Sequence, residues 1–128
     1  MRINKNDVPV KLAVPGATAR LQPDFGESSS DVAMSAEYFS LAAGTDIAPL
    51  LQGLDGDLCQ APHWGYLAEG SLTVTYADRS TEKVARGDLY YWPPGHTVRV
   101  EEDAQLLMFS PQQAHLHVID HMKRKLGA

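Results

Sequence analysis

Disulfides cannot hold this chain together, because its 128 residues contain one cysteine, Cys59. A lone thiol suits a reducing compartment, so the cytoplasm is the expected location. Long apolar runs are also missing. Nothing approaches the roughly 18 residues that a membrane helix needs. The opening stretch, MRINKNDVPV, lacks the apolar centre of a secretory signal. Membrane association is therefore not expected. Positive charge is scarce as well: 11 lysines and arginines face 16 aspartates and glutamates, for a net charge of -5. Such a chain is poorly supplied to neutralise phosphates, and nucleic acid is not an expected partner. Internal repeats and low-complexity segments are absent.

What remains is an ordinary globular composition, with 44% hydrophobic and 21% charged residues. This length gives one domain with one proper core. Residues 1–32 are rich in Pro, Gly, Ser and Asp and read as an N-terminal arm, with short extended pieces near VKLAV and TARL. From about Ala33 the pattern becomes a series of short strands punctuated by Gly, Pro and Asp turns, which indicates an all-β sandwich or barrel over 33–110. Pro49 suggests an edge strand or a bulge in DIAPLLQGLDGD. HWGYLAEG and SLTVTY read as two strands meeting at Gly70, with Leu72, Val74 and Tyr76 on one face.

Residues 111–128 change character. Ser110, Pro111 and Gln113 read as an N-cap, a first-turn proline and the far end of a capping box. Leu116, Ile119, Met122 and Leu126 recur at helical spacing, and Lys123, Arg124 and Lys125 suit a helix C-terminus. A helix over about 111–125 is expected. His117 and His121 stand four apart, a spacing that can bind zinc on a helix. No third ligand is near in sequence, so they read as a solvated pair, and His115 is given no role.

The reactive residues gather in DLCQAPHWGYLAEG, residues 57–70, and in GDLYYWPPGHTV farther on. Together PHWGYLAEGSLTV, RGDLYYWPPGHTVRV and LLMFSP resemble the cupin family over about residues 34–110. That resemblance implies a double-stranded β-helix, a small jelly-roll barrel, often dimeric. It also implies a divalent metal held by two histidines and a glutamate of a first motif and one histidine of a second. Aligned on Gly70, His63 falls at the glutamate position, Cys59 at the second histidine and Asp57 at the first. Val98 falls at the histidine position of the second motif, with His96 two residues earlier. None of the four usual ligands is kept in kind. The pattern CxxxH…PPGH is nevertheless similar to a subgroup of small bacterial cupins.

Positions 57, 59 and 63 would share one face of an unbroken strand, as would 96 and 98. Cysteine and histidine suit zinc, iron or copper. The expected site is therefore Cys59, His63 and His96 around one divalent transition metal (Zn, Fe, Ni, Mn or Cu), with Asp57, Tyr66, Tyr91 and Val98 lining the pocket. The alternative at Cys59 is a buried small side chain or a reactive thiol. Glu69 reads as a turn residue. The expected function is binding of a metal and a small, possibly anionic molecule inside the barrel, with or without catalysis. The alternative is a metal-free ligand-binding or sensor module. A homodimer is the expected assembly.

Overall fold

A computed structural model describes residues 1–127, so Ala128 of the expected C-terminal segment lies outside the described residues. The elements run in the order β1 (Val10–Val14), β2 (Ala17–Gln22), β3 (Glu27–Ser29), β4 (Val32–Leu41), α1 (Ala48–Leu51), β5 (His63–Tyr76), β6 (Thr81–Ala85), β7 (Leu89–Trp92), β8 (His96–Pro111) and α2 (Gln112–Leu126). All strand pairings are antiparallel, in the order β1-β2-β4-β8-β5-β6, with β3 on β4 and β7 on β5. The sheet rolls around its own interior. Leu67, Leu72, Val74, Trp92, Val98 and Leu106 are buried there together. The expected all-β barrel with one C-terminal helix is what the chain forms.

Four local expectations differ from the structure. The extended pieces expected near VKLAV and TARL form as β1 and β2, but they join the sheet instead of standing apart as an arm. β1 and β2 extend the main sheet beside β4, and Leu12, Ala19 and Leu21 are buried. Pro49 lies in neither an edge strand nor a bulge; it is the second residue of the short helix α1, in the first turn, where its missing N–H costs nothing. The two strands expected to meet at Gly70 are one strand, β5, whose pairing with β8 shifts register between Leu67 and Leu72. Gly70 sits in that irregularity at φ +85°, and a Cβ there would collide with the Asp103 carbonyl.

The fourth difference concerns α2. Its first residue is Gln112, and no side chain caps it. Ser110 is drawn inward instead, and Gln112 accepts a hydrogen bond from the Asp24 N–H. The buried face keeps Ile119 of the predicted set and is otherwise shifted. His115, Val118 and Ile119 are buried, whereas Leu126 is exposed. With α1, the helix closes one end of the barrel. Leu51, Cys59, Ala61 and Val118 form a second small core at that closure, with Met122 packed against it.

Candidate metal centre

Three separate pieces of chain bring the donors together. His63 is the first residue of β5 and pairs with Trp92 of β7. His96 is the first residue of β8, just past the Pro93–Pro94–Gly95 turn. Cys59 precedes β5 and joins β8 through an isolated bridge to His96, with its N–H donating to the His96 carbonyl at 2.9 Å. One donor atom from each of Cys59, His63 and His96 lies within 4.8 Å of the other two, and all three residues are buried. Cys59 Sγ and His63 Nε2 are 3.6 Å apart. Two ligands at zinc bond lengths in a tetrahedral arrangement stand roughly 3.5 Å apart, so this pair matches a shared ion.

The rings are oriented by what lies behind them. His96 Nδ1–H donates to the Pro93 carbonyl at 2.8 Å, which leaves Nε2 with its lone pair. His63 Nδ1 and Ser110 Oγ share a hydrogen bond of 2.6 Å, which leaves Nε2 facing the Cys59 sulfur. Such partners fix the ring orientation of metal-binding histidines.

Burial also sets the protonation states. It pushes the Cys59 thiol up to about 12 and holds His96 down at about 4. His63 is lowered well below the usual histidine range, first by burial and then by its histidine neighbours. At neutral pH the imidazoles are therefore neutral and ready to bind, while the thiol must lose its proton to an incoming ion. The reactive-thiol reading of Cys59 finds no support, because a nucleophilic cysteine needs its pKa lowered.

Two residues that the sequence reading left aside complete this interior. His115, on α2, is only 4% exposed, and its ring centroid lies 4.3 Å from that of His63. Its Nδ1 lies 2.5 Å from Oε1 of the buried Glu37, too bent for a well-aligned hydrogen bond. Glu37 Oε2 accepts from the Ser35 hydroxyl at 2.7 Å. Glu37 gave only a weak sequence signal, a carboxylate sharing its strand face with Ser35 and Phe39. His115 could have been found as the polar member of the α2 face that also carries Val118 and Ile119.

The pocket-lining residues separate cleanly. Val98 lines the cavity beside the three donors. Asp57 does not: it lies in a 3-10 turn, exposed, and its carboxylate accepts from the Gly53 N–H at 2.9 Å. The unbroken strand assumed for 57, 59 and 63 does not exist. Tyr66 and Tyr91 also face outward, at 37% and 49% exposure. The irregularity at 67–72 reverses the side-chain parity of β5, so Leu72 and Val74 point inward but Tyr66 does not. Tyr91 alternates with the buried Tyr90 and Trp92 and packs on the exposed Trp64, with ring centroids 5.1 Å apart. Glu69 is exposed within β5 and reaches Arg86 at 4.0 Å. His117 is exposed, and His121 Nε2 bonds the Gln52 carbonyl at 2.8 Å, so the two form no site. The cavity has no lysine or arginine among its described lining residues.

No protein-family model matches the sequence, and no curated protein matches it. Solved structures do. An oxalate decarboxylase of Bacillus subtilis, described as having Mn(II) centres, aligns at TM-score 0.61 and 21% identity, over 85% of this chain and 28% of that one. An RmlC-like cupin from Shewanella frigidimarina aligns at TM-score 0.56 and 14% identity, over 85% and 88% of the two chains. The polyketide cyclase RemF from Streptomyces resistomycificus aligns at TM-score 0.56 and 18% identity, over 87% and 78%. This chain thus spans little more than a quarter of the oxalate decarboxylase. At these identities the likeness is one of fold, and the fold is that of the cupins.

Proposed function

We propose, for this chain of cupin fold, that Cys59, His63 and His96 hold one divalent transition metal and that a small molecule binds in the adjoining cavity. The observation that carries this reading is the convergence of three buried donors within 4.8 Å. Their rings are already oriented by Pro93 and Ser110. Cysteine with two histidines favours zinc, with iron, copper and nickel behind it and manganese, which prefers oxygen donors, last. Three protein ligands leave one position for water or substrate, as in catalytic rather than structural zinc sites. A metal there would supply Lewis-acid polarisation of a bound oxygen, and the walls of the cavity would exclude bulk water.

Elemental analysis of untagged protein tests the reading. About one equivalent of a transition metal, or uptake of one on addition, is expected. Occupancy below about 0.2 equivalents with no uptake would leave the second reading, a metal-free binding module. The cavity supports that alternative equally well, since most of its wall is apolar.

A homodimer is proposed on the outer face of the sheet. Trp64, Tyr66, Leu89, Tyr91 and Phe109 are all exposed there, and the strand register places Trp64 beside both Tyr91 and Phe109. Aromatic clusters of this kind form the centres of protein interfaces, and a second copy presents the same surface. Light scattering of the wild type and of Trp64→Ser/Tyr91→Ser should give a dimer and a monomer. A wild-type monomer would refute the assembly. The cytoplasm is the proposed location, where Cys59 would stay reduced. Among the described residues no helix is long and apolar enough to cross a membrane.

A further inference from the structure

The cavity beside the three donors has a volume of about 180 Å3. Its wall is largely aliphatic and aromatic, with Leu12, Phe39 and Leu106 contributed by strands and Val118 and Met122 by α2. Polar chemistry reaches it through Thr45, Cys59, Trp92 and the three histidines. No lysine, arginine, aspartate or glutamate lines it among the described residues, and the carboxylate of Glu37 lies against His115. A charged ligand would give up its hydration with no opposite side-chain charge to replace it. An apolar body meets no such cost.

Trp92 adds an independent observation. It lines the cavity and is 2% exposed, yet its Nε1–H has no acceptor among the described residues. Buried donors are normally paired, so this one calls for an acceptor brought from outside. The Trp92 ring lies 5.6 Å from His96 and 6.1 Å from His63 between centroids, which puts the indole at the same end of the cavity as the metal donors. Pro15, in the β1–β2 turn, and Leu126, at the end of α2, line the cavity and are exposed, which marks its mouth.

We infer that the barrel takes a neutral, mainly apolar molecule, about the size of one ring with a short substituent, carrying one acceptor oxygen for Trp92 Nε1–H. An apolar cavity of about 150 Å3 is enough for benzene, which sets the size. This rests on the reading of the barrel as a small-molecule site and does not require the metal.

The test uses metal-free protein and three probes: acetophenone, ethylbenzene and benzoate. The readout is the indole N–H signal of Trp92 in nitrogen-15 NMR, assigned with Trp64→Phe, a change outside the cavity that keeps an aromatic ring on the proposed dimer face. Acetophenone should shift that signal saturably and bind at least about tenfold more tightly than benzoate. Ethylbenzene, which has no acceptor, should bind while moving the N–H less. Failure of acetophenone to shift Trp92, or benzoate binding as tightly, would overturn the inference. Zinc uptake measured on the same preparation separates the two ideas. Zinc bound without acetophenone overturns the ligand class alone, and acetophenone bound without zinc overturns the metal site alone.

Discussion

His63 Nδ1 and Ser110 Oγ lie 2.6 Å apart, joining the first residue of β5 to the penultimate residue of β8. The contact turns the other ring nitrogen, Nε2, to the Cys59 sulfur. Ser110→Ala should remove it without opening the barrel. Metal affinity is expected to fall by about 10–100-fold, as when other partners behind metal-binding histidines are lost. Competition against a chromogenic zinc chelator measures this, and unchanged affinity would show that the ring needs no such support.

Cys59→Ala and His63→Ala should each lower zinc affinity by at least about tenfold. Asp57→Ala should not change it, since that carboxylate is spent on the Gly53 N–H. Full zinc affinity in both of the first two variants would mean that the donors are misassigned.

Stability of the metal-free protein should depend on pH at both ends. His63 and His96 are held below their ordinary value of 6.5, His96 at about 4. Below pH 6.5 the unfolded chain takes up protons that the folded one refuses. This contribution is therefore full above 6.5 and is lost as pH falls toward 4. Cys59 is raised from 9.0 to about 12, so its contribution is full below pH 9.0 and is lost as pH rises toward 12. Urea denaturation in the presence of a chelator should show a plateau between 6.5 and 9.0. A flat profile across both limits would contradict the burial of these groups.

Glu37→Ala should loosen α2. It removes the acceptor of the Ser35 hydroxyl, at about 1–3 kcal/mol for the lost buried bond, and the carboxylate that His115 Nδ1 faces. Hydrogen exchange should quicken in α2 more than in β6, which lies away from the contact. Uniform exchange would assign Glu37 no part in seating the helix.

Gly70→Ala should cost at least about 1–3 kcal/mol, because it adds both a positive-φ strain and a clash with the Asp103 carbonyl. Thermal unfolding of the variant beside Gly87→Ala isolates the clash. Gly87 also has positive φ, but a Cβ there meets nothing within 4 Å. Equal losses would refute the close approach at Gly70.

Local pattern and family resemblance were enough for the architecture. Alternating strands with Gly and Pro turns indicated a sandwich or barrel, the cupin resemblance implied the barrel, and helical spacing led to α2. Cys59, His63, His96 and Val98 were legible because motif position places them, and each lines the cavity. Tyr66 was read as pocket-lining for its aromatic ring beside the first motif, but it stands three residues from His63 before the irregularity begins and so faces the opposite side. Ser110 was misread because a serine before a proline is a fair helix cap on local grounds. Its hydroxyl is claimed instead by a histidine distant in sequence.

What the sequence by itself determined was which segments become strands or helix and which donors they carry, because those preferences are local. What only the tertiary structure decided was which side chains meet. The bridge between Cys59 and His96, the docking of α2 that brings His115 against His63, and the partnership of Glu37 with His115 all join distant segments. Closure of the barrel makes those contacts, and burial in its interior then sets the protonation of the groups that meet there.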